Sequence, residues 1–123
     1  MTLDTNTIIA YLDGEDGVVS TIHTPFQEGA ILLIPAPVHT EVLSFFEFSP
    51  QEICATDTFL TENFAFVHTD PRISRIAAEL RRTVRIKTPD AYIAATALSY
   101  NTPLLTRNVR DFRHIPKLAV KTV

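Results

Sequence analysis

A chain of 123 residues with 46% hydrophobic content can build one compact core and is too short for a second. Its single cysteine, Cys54, excludes an internal disulfide framework and is expected to be a buried, inert thiol; no apolar stretch approaches a membrane span, and the N-terminus lacks the basic flank and apolar block of a signal peptide, so a cytosolic location is expected. The formal charge of −3 conceals an asymmetry, because residues 1 to 71 contain no Lys or Arg while all 11 basic residues follow Pro71, opposed there only by Glu79, Asp90 and Asp111.

In chain order, a short strand at residues 1 to 4 enters Asp4-Thr5-Asn6, and Ile8, Ile9 and Leu12 then recur at helical spacing over 5 to 12. A second helix spans about 16 to 27. The apolar run at 30 to 34 predicts a buried strand that stops at Pro35-Ala36-Pro37 and leads into a helix over 36 to 47 carrying Glu41. A helix over 50 to 62 and a strand over 65 to 68 follow. Asp70-Pro71 reads as cap and first residue of a helix over 71 to 84, with Ile73, Ile76, Ala77 and Leu80 on one face and Arg72, Arg75, Glu79 and Arg82 on the other. Thr88-Pro89 predicts a cap and start for a helix over 89 to 100, followed by a strand over 103 to 106 and an edge strand near 118 to 122. Helices alternating with short apolar strands imply a mostly parallel sheet covered on both faces, the α/β class. No repeat, low-complexity segment or linker divides the chain.

Asp4, Glu41, Asp90 and the pair Asn108/Asp111 each fall where an apolar run ends or a helix begins. Side chains at such junctions project beyond the carboxyl edge of a parallel sheet, where open α/β folds build their sites. Carboxylate and amide oxygens are the hard ligands that Mg²⁺ or Mn²⁺ takes. Asp90 lies in a first helical turn, where the dipole and free N–H groups favour an ionised carboxylate. Asp4 can cap its helix and still offer an oxygen to a cation. Glu41 could face the site or water. Asn108 can ligate or orient water but cannot act as a base, and one of Asn108 and Asp111 is expected to reach a metal. Thr106 and Asn6 are expected to cap turns or orient a carboxylate.

The basic half suits a phosphate ligand beside an acidic pocket, although charge blocks also serve merely as solvated faces. Arg81, Arg82, Arg85 and Lys87 precede Asp90, and Arg107 and Arg110 flank the last site position; these are the candidate phosphate contacts. The four histidines show no metal-ligand spacing, and no P-loop, dinucleotide loop or nucleophile elbow is present. Phe45, Phe46, Phe48, Phe59, Phe64 and Phe66 are expected to belong mainly to the core, with part left for an interface.

At Leu3-Asp4-Thr5-Asn6, Glu41-Val42-Leu43, Pro89-Asp90-Ala91-Tyr92-Ile93-Ala94-Ala95-Thr96-Ala97 and Leu105-Thr106-Arg107-Asn108 to Asp111-Phe112, the chain resembles the PIN-domain nucleases, and among them the small VapC-type ribonuclease toxins. The resemblance spans nearly the whole chain. It implies a single PIN-like domain over 1 to 123, a three-layer α/β/α fold, and a Mg²⁺- or Mn²⁺-dependent endoribonuclease. Asp4, Glu41 and Asp90 would hold the metal, Asn108 or Asp111 would complete the catalytic set, and Arg81, Arg82, Arg107 and Arg110 would contact RNA. Cleavage would leave a 5′-phosphate and a 3′-hydroxyl. The resemblance also implies a homodimer and a partner antitoxin seated in a hydrophobic groove, expected among the phenylalanines between 45 and 66. Asn108 departs from the acid that many relatives carry, which keeps open a catalytically impaired PIN-like module that binds RNA or protein. A phosphatase or receiver-like domain fits less well, because its acids cluster closer together near the N-terminus.

Overall fold

Five strands, each two or three residues long, form one fully parallel sheet in a computed structural model that describes residues 1–123. They are β1 (Thr2–Leu3), β2 (Leu33–Pro35), β3 (Ala65–Val67), β4 (Leu104–Thr106) and β5 (Val120–Thr122), in the order β3-β2-β1-β4-β5. Thr2 pairs with both Leu33 and Leu104, and Leu3 with Leu105. The three central strands are buried along their whole length, as expected of parallel strands covered on both faces.

Seven helices supply the crossovers: α1 (Thr5–Leu12), α2 (Asp16–Gln27), α3 (Ala36–Leu43), α4 (Pro50–Asn63), α5 (Pro71–Val84), α6 (Thr88–Ser99) and α7 (Val109–Phe112). From β1 to β3 the chain steps in one direction, then returns across the sheet to β4 and β5. The reversal of direction at β3 divides the crossover helices between the two faces of the sheet, giving the three layers expected. The switch point falls between β1 and β4, so the loops leaving these neighbouring strands part in opposite directions and open a crevice at their carboxyl ends.

Local chemistry explains most boundaries. Asp4 caps α1 by accepting the Thr7 N–H at 2.9 Å, and Asp70 caps α5 by accepting the Ile73 N–H at 2.9 Å. Ser49 and Glu52 close a reciprocal capping box at α4, with Pro50 following the cap. The helix α6 is packed on nearly every side, with Ala91, Ala94, Ala95 and Ala97 fully buried, and it touches α5, α3, β1 and β2. Its small side chains let those neighbours approach closely.

Several expectations shift. The helix bearing Glu41 ends at Leu43, not at 47: the Ser44 N–H closes on the Glu41 carbonyl, and the chain leaves the helix as a turn. The strand expected at 30 to 34 pairs instead over Leu33–Pro35, leaving Ile31 exposed. The helix carrying Asp90 begins at Thr88, which is its first residue and not its cap; Lys87 precedes it without a side-chain cap bond. One helix, α7, lies where only a turn was expected. Cys54 is exposed, because α4 buries only Leu60.

The aromatic cluster also departs from its expected place in the core. Phe64 is buried and Phe59 packs partly against the core, but Phe45, Phe46 and Phe66 are exposed. The early end of α3 throws Phe45, Phe46 and Phe48 out of helical phase, and they pack on one another, Phe45 meeting Phe48 edge-on at 5.1 Å between ring centres. No helix is long and apolar enough to cross a membrane.

Candidate active site

The crevice between β1 and β4 receives Asp4 from one side and Thr106, Asn108 and Asp111 from the other. Asp4 is only 5% exposed, and both of its oxygens are held: Oδ1 accepts the Thr7 N–H and Oδ2 accepts the Thr106 hydroxyl. Thr106 Oγ1 in turn accepts the Asn108 N–H at 2.8 Å, so one buried hydroxyl ties the end of β4 to the carboxylate after β1. Thr7 adds a second tie, donating its hydroxyl to the Leu105 carbonyl at 3.2 Å. Thr106 thus both orients a carboxylate and caps the turn, while Asn6 is exposed and makes neither contact.

Asn108 stands immediately before α7 and donates its side-chain amide to Asp111 Oδ2 at 2.8 Å. The amide therefore orients the carboxylate one turn along. Glu41 lies exposed in the last turn of α3, and Asp90 half-buried in the first turn of α6. Asp90 has its pKa raised from the ordinary carboxylate value, first by burial and then by the negative charges of Asp111, Glu41 and Asp4, with Lys87 opposing. The dipole of α6 favours the opposite, an ionised Asp90. Desolvation and three like charges outweigh the dipole, so the carboxylate resists ionisation in the cation-free protein.

Asp4, Glu41 and Asp111 thus lie near enough for their charges to act on Asp90, and the fold gathers these four carboxylates from four separate segments into one acidic centre. The centre is open: no three of its Asp, Glu, His or Cys side chains close on a single point as a complete coordination set. Its donor chemistry still fits a hard divalent cation, since Mg²⁺ commonly takes one or two carboxylates and fills its remaining positions with water and substrate phosphate. An excess of negative charge is also what such a cation would neutralise.

The basic residues divide. Arg107 forms an ion pair with Glu15, the residue before α2, and so is tied to a carboxylate. Arg81 and Arg82 are exposed in the last turn of α5. Arg110 lines a cleft of about 290 Å³ that Asp90 and Asp111 border, together with Arg85, Lys87 and His114. On the other flank, Glu41 borders an apolar cleft of about 370 Å³ walled by Ile9, Leu12, Val42, Phe45, Phe46 and Phe48. Sequence reasoning did not single out Thr7 or Glu15. Thr7 carried a usable signal as a hydroxyl on the inward face of α1, whereas nothing local links Glu15 to Arg107, 92 residues away.

Comparison with known proteins agrees with this architecture. One segment is 49% identical over 43 residues, 35% of this chain and 32% of the relative, to a protein named Ribonuclease VapC from Rickettsia bellii (strain RML369-C); the match thus spans about a third of that relative's length. Among solved structures, a chain of VapBC2 from Rickettsia felis bound to a DNA fragment from its promoter superposes with a TM-score of 0.84 at 22% identity, covering 99% of this chain and 97% of that one. A toxin-antitoxin complex from Klebsiella pneumoniae gives 0.80 at 26% identity over 96% of this chain and 94% of that one. VapBC-1 from nontypeable Haemophilus influenzae gives 0.84 at 23% identity over 98% and 96%. The PIN domain model matches residues 1–118, a span that includes every carboxylate of the acidic centre, and the chain belongs to the PIN domain family.

Proposed function

We propose that this chain is a metal-dependent endoribonuclease, the toxin of a VapBC-type toxin–antitoxin pair. The observation that carries the reading is the acidic ground around the crevice between β1 and β4, where Thr106 bonds Asp4, Asn108 bonds Asp111, Asp111 and Asp90 line one cleft, and the charges of Asp111, Glu41 and Asp4 act on Asp90. Asp4, Glu41 and Asp90 would hold Mg²⁺ or Mn²⁺, with Asp111 as the fourth carboxylate and Asn108 as the group that orients it. Such a cation supplies positive charge that acidifies a water and offsets charge developing on the phosphodiester oxygens. The chain's own part is positional. Thr7 and Thr106 fix both oxygens of Asp4, and the burial of Asp90 keeps it poised to exchange a proton for a cation.

Hydrolysis by water aimed at phosphorus in line with the 3′-oxygen, which leaves and takes up a proton, gives a 5′-phosphate and a 3′-hydroxyl, and no 2′,3′-cyclic phosphate forms because the ribose 2′-hydroxyl does not attack. The apolar cleft beside Glu41 is the proposed seat of an antitoxin segment, laid against Ile9, Leu12 and the Phe45-Phe46-Phe48 wall. The names of the relatives point the same way. A homodimer and a cytosolic location belong to the same reading.

The test is incubation of a mixed RNA pool with purified protein and Mn²⁺ or Mg²⁺, beside EDTA, with the ends of the products mapped. Metal-dependent fragments ending in 5′-phosphate and 3′-hydroxyl are the result expected; 2′,3′-cyclic phosphate ends, or cutting indifferent to EDTA, would contradict it. The open geometry of the centre and the amide at Asn108 favour a second reading, a binding module that no longer cuts. RNA bound firmly and left intact with either metal would favour that module.

A further inference from the structure

We propose that the cleft between the α5–α6 connection and α7 seats the RNA phosphate next to the one being cut, so that the strand leaves the acidic centre on that side only. The inference rests on the endoribonuclease reading and assigns the substrate's path across that same site. Arg85 and Lys87 enter the cleft from the connection and Arg110 and His114 from the α7 side, while Asp90 and Asp111 form its inner border. The chain contains two ion pairs, His39 with Asp57 and Arg107 with Glu15, so Arg85, Lys87 and Arg110 are committed to neither. Cations gathered in a concave site beside carboxylates repel a second metal and attract an anion that the centre's own cation can share.

The other flank offers no such path. Its apolar cleft presents aromatic and aliphatic side chains, and its charged members, Asp13 and Glu41, are both acidic. Arg107, the remaining arginine beside the crevice, is occupied by Glu15. Phosphates on both sides of the scissile bond cannot therefore be held equally. One neighbour is gripped by arginine forks, which suit phosphate oxygens, and the other meets an apolar wall.

The experiment measures binding of a fluorescent random-sequence RNA of about 16 nucleotides, a length that covers the site sizes usual for single strands, by the full chain in EDTA across a salt series. Arg85→Gln/Arg110→Gln should weaken binding about tenfold or more and make the dependence of log affinity on log salt shallower by roughly 0.7 for each phosphate no longer neutralised. Arg72→Gln/Arg75→Gln, on the exposed face of α5, should change neither. With Mn²⁺ the first pair should raise KM and largely spare kcat, because the grip on a neighbouring phosphate is the same before and during the reaction. Arg110→Gln alone serves if the double variant fails to fold. An unchanged affinity and salt slope overturns the proposal, as does equal loss from the control pair or failure of the unaltered chain to bind RNA. RNA held through Arg85 and Arg110 but never cut would overturn the nuclease reading and, with it, the cleft's place beside a scissile phosphate, leaving only a phosphate seat.

Discussion

Asp90 is half-buried among three other carboxylates, and its raised pKa has a consequence for stability. Between the ordinary aspartate value and its own raised value, the folded state holds more protons than the unfolded state. Stability therefore falls as pH rises through that window, is highest below it, and is flat above it as far as this residue is concerned. Asp90→Asn removes the repulsion, so in EDTA near neutral pH the variant should melt at a higher temperature than the unaltered chain, while Mn²⁺ should raise the melting temperature of the unaltered chain more than that of the variant. A lower melting point for Asp90→Asn in EDTA would contradict the electrostatic account. Thr106 is a positioning residue with a different signature. Thr106→Val should cost about 10- to 100-fold in Mn²⁺ affinity or kcat/KM while the protein stays folded, with Thr106→Ser recovering most of the loss. Activity that survives the valine unchanged would remove the hydroxyl from the site.

Single elements test the packing. Ala95→Leu in α6 forces extra methyl groups between this helix and its neighbours and should cost about 1–3 kcal/mol in denaturant melts. Ser49→Ala breaks the box at α4, where Ser49 bonds Glu52 and none of the four carboxylates of the centre, and should cost roughly 0.5–2 kcal/mol without altering cleavage. The helices with a local signal at their start, α1 and α5, were the most legible in the sequence. Asp4 and Asp70 announced their helices because a cap is a local bond within one turn, and α5 announced itself through an apolar stripe at helical spacing. The phenylalanines after α3 were not legible, since their burial depends on where the chain breaks, and no glycine or proline marks the break after Leu43. The four residues of α7 were too few to show a period.

At the scale of the molecule, the order β3-β2-β1-β4-β5 converts four positions scattered along the chain into one crevice. Their place at strand and helix junctions could be read from the sequence, but their mutual field could not, because it arises only when β1 lies beside β4 and α6 returns against them. The charge asymmetry acquires the same kind of meaning. The basic half supplies Arg85, Lys87 and Arg110 to one flank of the centre, while the other flank is an apolar cleft. A chain with this layout presents a basic flank and an acidic centre side by side, which its net charge of −3 conceals.

The most direct measurement compares the unaltered chain with folded Asp90→Asn on one mixed RNA pool, each with Mn²⁺ and with EDTA. Cutting only by the unaltered chain with Mn²⁺, and a loss of at least about 100-fold in the variant, is the result this account predicts. Equal cutting by the folded variant, or RNA left intact by a metal-loaded unaltered chain, would contradict it.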